Sequence, residues 1–174
     1  SLINAGTVSI KQSNAAGLYG EPEGMYLHGT QIGGDLVNSG AIEVNGNYAI
    51  GLIIDSNGNV PFSLGGRLIN SGSIIANGDH ALAFDIESAT SALNIVNSGE
   101  IRAVGAGSEA ITLWGVTVDV LNNSGSIIAT GDDTSRAIVH SSTSQPFTVC
   151  TFNALRSESD NSCQRGIFWP VWFQ

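Results

Sequence analysis

Three histidines, His28, His80 and His140, stand among 15 acidic and six basic residues in a chain of 174. Nucleophilic hydrolysis needs Ser, His and Asp brought together, often with the serine on a Gly-x-Ser-x-Gly turn. None of the three histidines lies near such a turn, so no triad is expected. The closest approach to a site is Asp79-His80 with Asp85 nearby. The residues preceding an Ala that recurs in each repeat are Tyr48, His80, Glu109 and Arg136. They are expected to form an outward column, with His80 beside Glu109 and Glu109 beside Arg136. Such cross-strand pairs contribute about 0.2–1 kcal/mol each.

Gly131-Asp132-Asp133 is the densest acidic spot. Calcium takes about six to eight oxygens, and the Gly-Gly-x-Gly-x-Asp nonapeptide of calcium-binding β-rolls is absent, so a solvated turn is expected there. β-Helical enzymes that cut acidic polysaccharides set carboxylates and basic groups on one outer face. Here Arg67, Arg102 and Arg136 are the main basic residues before the tail, and a net charge of −9 repels a polyuronate. Trp114, Tyr19, Tyr26 and Tyr48 are placed to stack sugars or to pack locally. The expectation is a non-enzymatic chain with no catalytic, cofactor or metal residues. The alternative is a carbohydrate-active protein, which would reveal itself by an outer-face cluster of carboxylates with a basic partner.

The frame holding these residues repeats. "VNSGAIEVNG" at 37–46 returns as "INSGSIIANG" at 69–78, "VNSGEIRAVG" at 96–105 and "NNSGSIIATG" at 122–131, with a weaker copy opening the chain. The anchors are Asn4/Gly6, Asn38/Gly40, Asn70/Gly72, Asn97/Gly99 and Asn123/Gly125, in steps of 34, 32, 27 and 26 residues. Such a period marks a solenoid. Each unit reads as three short β-prone runs separated by Gly/Asn corners, and no helical periodicity survives that punctuation. The two longer steps imply insertions, visible at 19–24 and 55–61.

Three strands per turn in register describe a parallel β-helix (solenoid) of about five coils over residues 1–145. Each strand pairs with its equivalent about 4.8 Å along the axis. Aliphatic columns are expected from Val8, Ile42, Ile74, Ile101 and Ile127, and from Leu36, Leu68 and Leu121. Asn4, Asn38, Asn70, Asn97 and Asn123 should form a ladder of side-chain amides. Gly6, Gly40, Gly72, Gly99 and Gly125 should supply conformational freedom at that corner.

Composition agrees with this class. Charged residues are 12% and apolar residues 42%, with 22 Gly, a turn-rich β profile. The pI of about 4.4 leaves no basic footprint for nucleic acid or anionic lipid, and no apolar run is long enough to span a membrane as a helix.

The pattern in "LINSGSIIANGDHALAFDI" (68–86) and "IVNSGEIRAVGAGSEAITLW" (95–114) resembles the passenger region of bacterial type V autotransporters, over roughly residues 2–140. The resemblance implies an exported protein of a Gram-negative bacterium, shed or tethered to the outer membrane by a C-terminal barrel elsewhere in the parent chain. It implies a right-handed parallel β-helix with a structural or adhesive role and no cofactors. Host-surface or carbohydrate contacts are expected through loops 19–28 and 55–66. Residues 146–174 depart from the pattern and hold Cys150 and Cys163 with much of the aromatic content. They read as a cap, as a segment that pairs with another module, or as an out-of-frame end. The two cysteines form either a short-loop disulfide or two free thiols.

Overall fold

A computed structural model describes residues 1–12, 21–56, 58, 60–141, 148–151 and 163–165. The first coil comprises β1 (Leu2–Asn4), β2 (Thr7–Lys11), β3 (Glu23–His28) and β4 (Gln31–Ile32). The second comprises β5 (Leu36–Asn38), β6 (Ala41–Asn45), β7 (Ile50–Asp55) and β8 (Ser63–Leu64). The third has β9 (Leu68–Asn70), β10 (Ser73–Asn77) and β11 (Leu82–Glu87), and the fourth β12 (Leu93–Asn97), β13 (Glu100–Val104) and β14 (Glu109–Trp114). The fifth has β15 (Val118–Asn123), β16 (Ser126–Thr130) and β17 (Arg136–Ser141). Two further strands are β18 (Thr148–Thr151) and β19 (Cys163–Arg165).

Like stacks on like. The first sheet runs β1-β5-β9-β12-β15-β18-β19, the second β2-β6-β10-β13-β16 and the third β3-β7-β11-β14-β17. Among the described residues, all pairings within the five coils are parallel, and only β18–β19 is antiparallel. This is a parallel β-helix of about five coils, wound in the right-handed sense that parallel crossovers adopt.

The interior is a set of aliphatic columns. Val8, Ile42, Ile74, Ile101 and Ile127 pair in line along the second sheet. Leu36, Leu68, Ile95 and Leu121 do so in the first. Ile42, Ile74 and Ile101 are each 0% exposed, and burying such a side chain stabilises by roughly 1.5–3 kcal/mol. In the third sheet Leu27, Ile54, Ile86 and Leu113 end on His140. Burial lowers the pKa of this imidazole, partly offset by a hydrogen bond to the Val116 backbone.

Two expectations are corrected. The longer coils do not carry their extra residues simply as loops. Glu23–His28 is a full strand of the third sheet, and β4 and β8 pair with each other as an extra two-stranded sheet. Phe62 and Leu64 enter the core at 0% and 4% exposure, because Val-Pro-Phe-Ser-Leu supplies apolar side chains to bury. Among the described residues the first two coils therefore have four strands each, not three.

The second correction concerns register. Glu109 pairs with Leu82, not His80, although it does pair with Arg136. Coil three offers two alanines, Ala81 and Ala83, and the expected alignment chose the wrong one. The preceding turn decides between them: Gly105 packs on Gly78, so both corners are equally long. His80 instead stacks on Tyr48, with ring centroids 5.1 Å apart and planes 16° off parallel. Both residues hold left-handed backbone, at φ 57° and 58°, and Gly107 continues the column at φ 63°.

Candidate functional site

The Asn column is continuous. Asn4 Nδ2 donates to Asn38 Oδ1 at 2.8 Å, and Asn38 Nδ2 to Asn70 Oδ1 at 2.8 Å. Asn70 Nδ2 donates to Asn97 Oδ1 and Asn97 Nδ2 to Asn123 Oδ1, both at 2.7 Å. Each amide from Asn38 to Asn97 also reaches a backbone carbonyl of the next coil, Ser73, Glu100 or Ser126, at 3.1–3.2 Å. Asn77 Nδ2 donates to Asn45 Oδ1 at 2.9 Å, a shorter second ladder that the recurrent Asn-Gly at 45–46 and 77–78 announces.

The glycines two residues after each Asn have a different reason from the expected one. None of Gly6, Gly40, Gly72, Gly99 and Gly125 has positive φ. A Cβ on Gly40, Gly72 or Gly99 would sit 1.9 Å from the carbonyl oxygen of the equivalent glycine one coil earlier. Close approach between coils, not turn conformation, requires them. Cys150 and Cys163 are directly opposed backbone partners in the β18–β19 pair; their side chains, and most of 146–174, lie outside the described residues.

A cluster that linear reading did not find lies on the outer face of the third sheet. Phe84 and Ile86 point into the core, so alternation turns Asp85 and Glu87 outward. The register aligns Tyr26, Ile53, Asp85, Thr112 and Val139 in one outer column. A neighbouring column carries His28 beside Asp55 and Glu87 beside Trp114. Glu109, on the other flank, accepts from Thr112 Oγ1 at 2.9 Å and meets Arg136 Nη1 at 4.0 Å. Tyr26 Oη lies 3.0 Å from His28 Nδ1 and 3.4 Å from Asp55 Oδ2, while His28 Nδ1 and Asp55 Oδ2 are 3.5 Å apart.

Asp85 is the anomaly in this cluster. It is 4% exposed, and its Oδ1 is buried without any hydrogen-bond partner. Burial first, then repulsion from Glu87, Glu109, Asp55 and Glu21, pushes its carboxyl up to about 7. Burial and Asp55 also raise Glu87. Among the described residues no three His, Cys, Asp or Glu side chains gather as a metal site. At the Gly131-Asp132-Asp133 corner, Asp132 Oδ1 accepts from Thr134 Oγ1 at 2.6 Å and from the Gly107 and Thr134 amides. These bonds hold its carboxyl down to about 2, so it closes the turn on itself.

The Asp85 shift has a stability consequence. The unfolded carboxyl titrates near 3.8 and the folded one near 7, so between those values the folded state retains a proton the unfolded chain has released. The resulting penalty is absent below about pH 4, grows as pH rises, and is complete above about pH 7, reaching about 4 kcal/mol at most. Asp85→Asn removes it. Thermal melts followed by circular dichroism should show the variant gaining on the parent chain between about pH 5 and about pH 8; parallel pH profiles would refute the assignment.

Comparison with protein-family models, with curated proteins and with solved structures found no match to this chain.

Proposed function

We propose that this chain is a stiff stalk segment of an exported surface protein, one whose role is to hold attached or inserted parts in place rather than to catalyse. The observation that carries this reading is the unbroken Asn ladder, four side-chain hydrogen bonds at 2.7–2.8 Å linking five coils end to end. A chain of polarised amides with both ends of each group satisfied resists local opening. The aliphatic columns beside it spread the core along the axis instead of around a pocket. Resemblance of the repeat to autotransporter passengers supports the surface location. In such a setting a solenoid whose coils bond mainly to their neighbours can form one coil at a time.

A stalk of this kind resists proteases along its length. Native digestion of the full chain with thermolysin, read by mass spectrometry, should leave a fragment spanning at least residues 23–130, the bounds of β3 and β16. Early cuts distributed through β5 to β14 would contradict a rigid stalk, because they would show coils opening independently.

A further inference from the structure

We propose that the outer face of the third sheet, from Tyr26 to Trp114, binds a short neutral saccharide chain, with Asp85 at the centre of the binding strip. This goes beyond the stalk reading and stands on separate observations. Tyr26 and Trp114 are 46% and 51% exposed. They lie on β3 and β14, three coil steps apart, so the strip between them is about 14 Å long. Asp55, Asp85 and Glu87 occupy the intervening strands of that same face.

Asp85 supplies the independent sign of a ligand. A strand position flanked by Ile53 and Thr112 would be filled without penalty by a β-branched apolar residue. It holds instead a carboxyl that is almost fully buried, has an oxygen without a partner, and is repelled by four other acids. A native fold keeps about one partner for nearly every buried polar atom. A local rule broken at this expense, on a face with an exposed aromatic toward each end, is the pattern of a site prepared for something else.

The chemistry of the strip selects the ligand. The side-chain oxygens of Asp55 and Glu109 accept hydrogen bonds, while Tyr26 Oη and a protonated Asp85 donate them. A set offering both roles suits hydroxyl groups, which are themselves donor and acceptor. Ring faces of Tyr and Trp cover the apolar faces of sugars. A polyuronate meets like charge along the whole strip. An oligoamine would answer the acidity but leave the donors unused.

Isothermal titration of the full chain tests this with xylohexaose, mannohexaose and laminarihexaose as neutral probes, hexagalacturonate as the anionic one and hexaglucosamine as the cationic one. Saturable binding of at least one neutral probe is expected, with none for hexagalacturonate. Trp114→Ala should weaken it at least about tenfold, whereas Tyr48→Ala, an exposed aromatic on another face, should leave it unchanged. Asp85→Val should melt at a higher temperature than the parent yet bind more weakly, a combination that a merely structural Asp85 does not produce. Absence of binding to all three neutral probes, equal losses in the two aromatic variants, undiminished affinity in Asp85→Val, or binding of hexaglucosamine alone would each overturn the proposal.

Discussion

Gly72→Ala should lower the melting temperature by roughly 10 °C. The new Cβ would lie 1.9 Å from the Gly40 carbonyl oxygen, 2.8 Å from the Ser39 carbonyl carbon and 2.9 Å from the Gly40 carbonyl carbon. All three are backbone atoms, so no side chain can swing aside. The coils must separate locally. That stretches the bond from the Ser73 amide to the Gly40 carbonyl, now 3.0 Å, and the reach of Asn38 Nδ2 to Ser73 O, now 3.2 Å. Overpacking of this kind costs about 3 kcal/mol. Gly33→Ala is the informative control. Nothing lies within 4 Å of a Cβ there and its φ is not positive, so the substitution should stabilise by about 0.4–1 kcal/mol through the unfolded chain. The pair also separates two reasons for a glycine. If conformational freedom were the requirement at 72, Asn would restore stability; with close approach the requirement, Asn fails as Ala does. Circular dichroism melts of the three variants decide.

The ladder and the columns were legible because repetition aligns them. One Asn-x-Gly per coil fixes the register of the first sheet, and the apolar residues at constant offset from it fall into line. The same signal was silent on why the glycines recur, since a residue type that permits both unusual φ and close packing does not say which is used. It was silent too on the outer strip. Tyr26, Asp55, Asp85 and Trp114 follow one another at steps of 29, 30 and 29 residues, and no repeat pattern marks them as equivalent. Only the three-dimensional register makes them neighbours. The ambiguity between Ala81 and Ala83 shifted that register by two residues, which set Trp114 opposite Asp85 instead of Glu87. Outward positions carry little information of this kind, because solvent tolerates many residues where the core accepts few.

Asn97→Leu should destabilise by about 2–4 kcal/mol, enough to shift the melt by several degrees, while the adjacent Ser98→Ala stays within about 0.5 kcal/mol. Asn97 is 0% exposed and sits inside the ladder. Leucine is close in size, so the comparison isolates polarity from volume. Its loss strips Asn70 Nδ2 of its 2.7 Å acceptor and Asn123 Oδ1 of its 2.7 Å donor, and leaves the Ser126 carbonyl without the amide now 3.1 Å away. Asn70 keeps a weaker recourse at the Glu100 carbonyl, 3.2 Å away, which is why the effect stays below the sum of three orphaned groups. Ser98, by contrast, is exposed. The same substitution at Asn4 should matter far less, since that end of the ladder is partly exposed and has only one ladder neighbour. A graded series, with Asn70 and Asn97 sensitive and Asn4 tolerant, follows from cooperative stacking along the axis. Equal shifts for Asn97→Leu and Ser98→Ala would mean that the aliphatic columns alone set the spacing of the coils, and that the amides merely follow.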